Sequence, residues 1–212
     1  MNVTEPTVHI VDDDAPFLEA TSRLLRASGF AVRTFASASD FLLQRAEDAP
    51  GCVLADVRMP GMNGLELQSA LARSANPLPI LFLTGHGDIR SSVRAMRDGA
   101  EDFLEKRAAK AHLLEAVTRA LARDAREREA RKRQRELRAR FDRLTAREFE
   151  VLGHVVRGKL NKQIAGDLNI HERTVKLHRT AITTKLGVQS VAELTRLTDE
   201  AGLLAEPKPT FP

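Results

Sequence analysis

Several residues that could take part in acid, hydroxyl or amine chemistry each follow a short strand-like run. They are Asp12 and Asp13 after residues 8–11, Asp56 after residues 52–55, Thr84 after residues 80–83, and Lys106 after residues 103–105. Open α/β folds place their sites where the carboxyl ends of parallel strands meet. If these runs are parallel neighbours, then acids, a hydroxyl and an ammonium converge on one edge of a sheet.

Such a group of residues suits phosphoryl chemistry. Mg²⁺ prefers oxygen ligands and usually takes one or two carboxylates. With the metal ion and Lys106 neutralising phosphoryl oxygens, Asp56 could attack phosphorus in line and become an acyl phosphate, and Thr84 could donate its hydroxyl to one of those oxygens. A single acid at a strand end is more often a surface loop residue, but the agreement of four strand ends favours a site.

The elements that would position these residues alternate between strand and helix from residue 7 to about residue 122. This alternation predicts repeated βα units and an α/β fold with a doubly wound parallel sheet. The five expected strands are residues 8–11, 32–35, 52–55, 80–84 and 103–105. Residues 1–122 are therefore expected to form one domain.

Residues 122–140 carry nine Lys and Arg against four Asp and Glu and lack an apolar stripe. A helix that is polar all round does not pack into a core, so residues 123–141 are expected to be a solvated, charged helical linker rather than a nucleic-acid arm. Residues 142–206 are predicted to be all helical, with short helices at 162–168 and 172–186 at helix-turn-helix spacing. Residues 207–212 are expected to be a flexible tail.

Local signals mark several helix starts in this second half. Thr145 with Glu148, and Ser190 with Glu193, have the spacing of capping boxes. Asn161 is expected to cap the helix that follows it.

Charge is divided unevenly along the 212 residues. Residues 1–121 hold 13 Lys and Arg against 16 Asp and Glu, whereas residues 122–212 hold 20 against 13. The basic second part predicts a polyanionic partner. The single cysteine, Cys52, excludes an intramolecular disulfide, and neither a signal peptide nor a membrane span is recognisable. We therefore expect a cytoplasmic protein.

The helix expected at residues 172–186 has two distinct faces. Val175, Ile182 and Leu186 share a narrow sector that predicts core packing. A second sector suits a DNA major groove, since Lys can donate to guanine and an apolar tip can touch a thymine methyl; it holds Arg173, Lys176, Leu177, Thr180 and Thr184. Arg179, Asn161 and Lys162 are expected near the DNA backbone. A solvated face of a protein-interaction bundle is the alternative.

Residues 7–122 resemble the receiver domain of two-component response regulators. The resemblance rests on the early acidic pair, on residues 56–64 (DVRMPGMNG), on residues 83–88 (LTGHGD) and on residues 99–106 (GAEDFLEK). Residues 85–88 are similar to the FixJ branch in particular. The resemblance implies that Asp56 is the phosphoacceptor, that Thr84 and Lys106 bind the phosphoryl group, and that Phe103 is an aromatic switch. It also implies Mg²⁺ bound by Asp13, Asp56 and the backbone carbonyl of Arg58, with Asp12 acting indirectly.

Residues 142–204 resemble the LuxR-type helix-turn-helix domain through LTARE, GKLNKQIA, RTVKLHR and KLGV. The resemblance implies that Lys176, Leu177 and Thr180 approach bases, while Arg173, Thr174 and Arg179 approach phosphates. The whole chain thus resembles the FixJ/NarL family of regulators, which carry a flavodoxin-like receiver.

Two residues depart from these family patterns. Arg107 stands where proline usually follows the lysine; a cis bond before a non-proline residue costs about 2.5–4 kcal/mol, so we expect a trans bond and a displaced Lys106. His171 stands where serine often caps the recognition helix, which predicts a softer helix start. His86 is interpreted as a loop residue, because no second His or Cys lies at metal-ligand spacing.

The resulting hypothesis is a regulator, not an enzyme. A sensor histidine kinase would phosphorylate Asp56, the protein would dimerise, and it would bind double-stranded promoter DNA, with RNA polymerase as a possible further partner. Two alternatives stay open: an Mg²⁺-dependent phosphohydrolase that uses Asp56 as nucleophile, and a DNA-binding regulator that ignores phosphate.

Overall fold

The computed structural model describes residues 5–85 and 89–203 of the chain. Two compact units divide at the middle of a long helix, with Met1–Glu129 in the first and Ala130–Pro212 in the second. The domain bounds inferred from the sequence, at residues 122, 141 and 206, stay predictions. His86 and the tail at residues 207–212 lie outside the described residues.

The first unit contains a five-stranded parallel sheet in the order β2-β1-β3-β4-β5. Its strands are β1 (Thr7–Val11), β2 (Ala31–Phe35), β3 (Gly51–Asp56), β4 (Ile80–Thr84) and β5 (Asp102–Glu105). β3 lies in the centre of the sheet and every residue of it is buried, which is the pattern of a strand covered on both faces. The predicted α/β fold class is confirmed.

Five helices begin in the described part of this unit and cover both faces of the sheet. They are α1 (Ala15–Ala27), α2 (Ala38–Gln44), α3 (Gly64–Ala72), α4 (Ile89–Arg97) and α5 (Lys110–Phe141). One apolar cluster joins the sheet to α1 and α5, through residues such as Leu25 and Val117. Another joins it to α2, α3 and α4, through residues such as Phe41 and Leu67. The sheet is therefore doubly wound, as the alternation of elements predicted.

α5 continues through the residues that were expected to form a solvated linker. Asp124 in this helix is buried, and its Oδ2 accepts a hydrogen bond of 2.9 Å from the Gly51 amide at the start of β3. Arg123 donates to Glu101 at 3.3 Å, and Arg128 donates to the carbonyl of Asp48. The expectation of a solvated segment from residue 123 is wrong at its beginning, because these polar side chains bond to the first unit.

Up to residue 203, the second unit is built from the last part of α5 and four shorter helices. They are α6 (Ala146–Val156), α7 (Asn161–Leu168), α8 (Glu172–Leu186) and α9 (Val191–Glu200). Their inward faces form an apolar cluster whose buried members include Phe141, Ile164, Val175 and Ile182. The predicted helical architecture of this half is confirmed.

The helix starts agree only in part with the predicted caps. Thr145 and Glu148 form a complete capping box. At α9, Ser190 accepts from the Glu193 amide, but the Glu193 carboxylate bonds the Gln189 amide instead. Asn161 is not the cap of α7: it is the first helical residue, and Leu160 occupies the cap position, where its amide donates to Gln163.

None of the helices in the described part of the chain combines the length and the apolar character needed to cross a bilayer.

Candidate functional site

The carboxyl edge of the sheet brings the expected acids together. Asp56 is the last residue of β3, and Asp12 follows β1, the neighbouring strand. Asp12 is 1% exposed and Asp56 is 9% exposed, so both side chains are largely removed from solvent. The Asp14 amide donates to Asp12 Oδ1 at 2.9 Å, which helps to hold that carboxylate in place.

Lys106 connects the two carboxylates. Its Nζ lies 2.7 Å from Asp12 Oδ2 and 3.1 Å from Asp56 Oδ2. Its amide donates to the carbonyl of Thr84 at 2.8 Å, which holds the turn after β5 against the end of β4. The described residues contain no cis peptide bond, so the bond to Arg107 is trans as expected. The expected displacement of Lys106 is not observed, because the ammonium reaches both acids from this trans loop.

The three acids at this edge fit a hard divalent cation. Oxygen atoms of Asp12, Asp13 and Asp56 lie within 4.8 Å of one another, with Asp13 exposed and the other two buried. Carboxylates in such a group are ligands that Mg²⁺ prefers, and one open side leaves room for water. Arg58 follows in the same loop, and its amide lies 3.4 Å from Asp56 Oδ1.

Burial and charge act in opposite directions on the titration of this group. Burial raises the pKa of the Asp12 carboxyl, and the Lys106 ammonium and the Asp14 amide offset that effect only in part. Burial by itself would lower the pKa of Lys106, but the contacts with Asp12 and Asp56 outweigh it and raise that pKa. Lys106 is therefore a cation throughout the neutral pH range.

Thr84 and Phe103 occupy neighbouring strands beside this group. Thr84 ends β4 and is buried, one residue beyond Leu83, which pairs with Asp56 across the sheet. Phe103 lies in β5 opposite Phe82, and the two ring centroids are 6.0 Å apart. Phe103 is only partly buried, so its ring lies at the border between the core and the surface.

One contact of the site was not anticipated from the sequence. The Lys106 ammonium lies over the ring of Phe17 in α1, 4.5 Å from its centroid. The helical period offered a signal, because Phe17 is one turn after Asp14, and Asp14 caps α1 by accepting from the Phe17 amide at 3.1 Å.

The second candidate region is α8. Val175, Ile182 and Leu186 are buried, which confirms the core face predicted from the helical wheel. Leu177 is 65% exposed, and other residues of the second sector are also exposed: Arg173, Lys176, Thr180 and Thr184. Within the described residues, Lys162, Arg173 and Lys176 form no ion pair. α8 thus presents cations and an apolar tip to solvent.

The junction between α7 and α8 places the remaining candidates. Asn169 ends α7 in the left-handed conformation, with φ of 51°, which makes the tight turn. Arg179 of α8 donates to the Asn161 side chain at 2.8 Å, so these two residues bond each other across the helix pair. His171 is the cap residue of α8 and makes no side-chain bond to it. The start of α8 therefore has no side-chain cap bond, and the softer helix start stays a prediction.

These features define a class of protein: an acidic, lysine-bridged site on a flavodoxin-like sheet, joined in one chain to a helix-turn-helix unit. Comparison with protein families agrees with that class. Residues 8–118 match the response regulator receiver domain, and residues 142–198 match the bacterial regulatory proteins of the luxR family.

Similar proteins align with this chain over most of their length. The response regulator protein TmoT of Ectopseudomonas mendocina is 44% identical, covering 94% of this chain and 90% of TmoT. The transcriptional regulatory protein FixJ of Azorhizobium caulinodans is 40% identical, covering 92% and 93%. The solved structure of the response regulator StyR is 48% identical with a TM-score of 0.79, covering 92% of this chain and 99% of StyR.

The chain therefore belongs to the FixJ/NarL family of two-component response regulators, with a receiver domain and a LuxR-type DNA-binding domain.

Proposed function

We propose that Asp56 is the phosphoacceptor of this regulator and that its phosphorylation by a sensor histidine kinase controls binding of promoter DNA by α8. The observation that carries the proposal is the position of Lys106 Nζ, 3.1 Å from Asp56 and 2.7 Å from Asp12 at the edge of the sheet. This places a fixed cation beside the carboxylate that would receive the phosphoryl group.

The transfer requires little covalent chemistry from the protein. A carboxylate oxygen of Asp56 attacks phosphorus in line, a P–O bond forms, and the P–N bond of the kinase phosphohistidine breaks as the imidazole takes up a proton. Lys106 neutralises charge on the phosphoryl oxygens without having to reorganise, because the two acids already hold it. Thr84 moves toward the phosphoryl group and donates its hydroxyl to one of its oxygens. Phe103, as the switch residue, responds to this movement of Thr84.

Mg²⁺ is the cofactor that suits the acids. Asp13, Asp56 and the backbone carbonyl of Arg58 would hold it, with Asp12 acting indirectly, and the bound ion would neutralise charge on the phosphoryl oxygens. The oxygen atoms of three carboxylates within 4.8 Å support this assignment, because so much negative charge is otherwise costly to bring together.

The DNA interface proposed for the second unit is the exposed face of α8. Lys176, Leu177 and Thr180 approach base edges, and Arg173, Thr174 and Arg179 approach phosphates, with Asn161 and Lys162 near the backbone at the start of α7. The exposure of Lys176 and Leu177 supports their assignment to base edges, since a major-groove reader must present its side chains without competing partners.

Phosphorylation is proposed to promote a homodimer, which offers two recognition helices to two half-sites. Val93 and Met96, on one face of α4, are 46% and 47% exposed and supply apolar surface for such a contact. The proposed location is the cytoplasm, where promoter DNA, the kinase and RNA polymerase are accessible.

The test compares Asp56→Asn with Asp14→Asn. Asparagine caps a helix as well as aspartate does, so Asp14→Asn removes one negative charge from the same edge and keeps the cap of α1. Each protein is treated with acetyl phosphate and Mg²⁺, analysed by mass spectrometry, and titrated with promoter DNA in a gel shift. The wild type and Asp14→Asn should gain one phosphoryl group and bind DNA more tightly, whereas Asp56→Asn should do neither.

Each competing interpretation has its own outcome in this test. DNA binding that is equal with and without the donor would refute phosphorylation control. Steady release of phosphate over many turnovers would support a phosphohydrolase instead.

A further inference from the structure

Besides its two carboxylate contacts, the Lys106 ammonium contacts the ring of Phe17 at the sheet edge. We propose that Phe17 is a positioning residue: its ring holds the Lys106 ammonium over Asp56, so that phosphoryl transfer to Asp56 depends on an aromatic side chain at position 17. This inference rests on the proposed role of Asp56 as phosphoacceptor and adds a residue that acts through Lys106.

Lys106 needs a third point of support. An ammonium has three N–H donors on a flexible four-carbon stem, which loses considerable rotamer freedom when it is held in one place. Two of its neighbours are the carboxylates of Asp12 and Asp56. The ring of Phe17 is the further neighbour, with its centroid 4.5 Å from Nζ, well inside the range of a cation–π contact.

The ring itself is held by the acidic loop. The Phe17 amide donates to Asp14 Oδ1 at 3.1 Å, and the Asp14 amide donates to Asp12 Oδ1 at 2.9 Å. Asp12 in turn contacts Lys106, which lies on Phe17. These four residues therefore form a closed circuit of contacts, in which the position of the ring and the position of the acids depend on each other.

The loop that carries Lys106 increases the need for this support. The trans peptide to Arg107 lies within a turn, in which the Ala108 amide donates to the Glu105 carbonyl at 2.8 Å. This turn fixes the backbone but not the four side-chain torsions of Lys106. Of the neighbours described, Phe17 alone stabilises the cation without adding negative charge, so it leaves the positive charge available to a phosphoryl group.

Substitution of Phe17 separates positioning from packing. Phe17→Leu keeps an apolar side chain against the cluster between α1 and α5 but removes the π face, whereas Phe17→Tyr keeps the face. Phe30→Leu is the matched control: Phe30 packs on the same cluster beyond the other end of α1, more than about 15 Å along the helix from residue 17.

The experiment measures the initial rate of Asp56 phosphorylation by acetyl phosphate in the full-length protein, together with Mg²⁺ affinity. Phe17→Leu should lower the rate about 10-fold, which is the size expected from losing one partly desolvated cation–π contact, and should leave Mg²⁺ affinity unchanged. Phe17→Tyr and Phe30→Leu should keep the wild-type rate. Equal rates for Phe17→Leu and the wild type would overturn the proposal.

Two further readouts exclude a merely structural effect. The ring current of Phe17 should shift the ε-methylene protons of Lys106 upfield in an NMR spectrum, and this shift should disappear in Phe17→Leu but persist in Phe17→Tyr. In a Lys106→Ala background, Phe17→Leu should cause no further loss of rate; a further 10-fold loss would assign Phe17 to packing. If the wild type itself accepts no phosphoryl group, the proposed role of Asp56 fails rather than that of Phe17.

Discussion

Lysine occurs in both candidate functional regions of this regulator, in opposite surroundings. Lys106 lies among two buried carboxylates and an aromatic ring, and its side chain is 16% exposed. Lys176 on α8 is exposed and, within the described residues, has no acidic partner. In the proposed mechanism, the first cation is fixed before its ligand arrives and so would stabilise developing charge. The second would keep its charge for DNA, whose counterions it would displace on binding.

The largest test of this contrast is Lys106→Met. Removal of the cation leaves Asp12 and Asp56 facing each other and withdraws the charge that would meet the phosphoryl oxygens. Phosphorylation by acetyl phosphate, followed by mass spectrometry, should slow about 10²–10³-fold, while DNA affinity without donor stays at the wild-type value. Lys110→Met, at the exposed start of α5, is the control and should react normally. Equal rates in all three proteins would mean that Lys106 has no part in the transfer.

Acid should destabilise the first unit before the second. Burial, followed by the charges of Arg33 and Arg45, lowers the pKa of His9 in β1 to about 4, from 6.5. The fold thus favours neutral His9. The contribution of neutral His9 to the stability of the first unit is fully present above pH 6.5. It decreases as the pH falls from 6.5 to 4, and below pH 4 this contribution changes no further. The loss is up to about 3 kcal/mol.

In the second unit, Glu148 begins to lose its contribution to stability at a lower pH than His9 does in the first. The hydrogen bond from Lys185, followed by that from the Thr145 amide, lowers the pKa of Glu148, so its contribution is present above pH 4.5 and is lost as the pH falls further. Urea unfolding monitored separately for each unit by NMR should show this order. His9→Leu should flatten the dependence of the first unit's unfolding free energy on pH between pH 6.5 and 4. The raised pKa of Asp12 acts in the opposite direction, but Asp12 is present in both proteins, so its effect cancels in the difference between His9→Leu and the wild type. An unchanged slope would contradict the assignment to His9.

A pair of substitutions sharpens the description of the DNA face. Lys176→Met should cost about 1–3 kcal/mol of affinity for the specific site and relax the preference for one base pair. Lys162→Met should weaken binding to all sequences alike and reduce the slope of log affinity against log salt by about 1. Fluorescence anisotropy at several salt concentrations measures both. Identical profiles would abolish the distinction between a base reader and a phosphate contact.

The smallest expected effect concerns the start of α8. His171→Ser supplies a hydroxyl to an orphan amide that the imidazole leaves without a side-chain bond, and should stabilise the second unit by about 0.5–1 kcal/mol. Thermal unfolding monitored by circular dichroism detects this as a higher Tm. Thr145→Ala, which removes the complete cap of α6, should have the opposite sign. A lower Tm for His171→Ser would show that the imidazole contributes more than a cap.

The sequence was sufficient to predict the parts of the molecule that depend on local patterns. Apolar runs ending in Asp12, Asp56 and Thr84 predicted parallel strands with converging ends, and the strand order places them on neighbouring strands. The helical period of α8 predicted Val175, Ile182 and Leu186 as core residues, and all three are buried.

Contacts between distant segments were beyond such patterns. Local rules favoured a trans bond before Arg107 and therefore a displaced Lys106, but the acids 94 and 50 positions earlier hold the ammonium in place. Asp124 was read as part of a charged stretch because its partner, the Gly51 amide, is 73 residues away. The start of α7 differs for a local reason: Leu160 occupies the cap position without a side-chain cap bond, and its amide donates to the Gln163 side chain.

The bond between Asp124 and Gly51 matters for anyone who wishes to express the two halves separately. A fragment ending at residue 122 would expose the first amide of the central strand, and no side chain at position 51 could replace the missing carboxylate, because a Cβ there would lie 2.1 Å from the Thr7 carbonyl oxygen. A fragment ending after Arg128 retains both the carboxylate and the guanidinium that reaches Asp48. Phosphorylation kinetics measured on the shorter fragment would describe a sheet that lacks the hydrogen bond between Asp124 and the Gly51 amide.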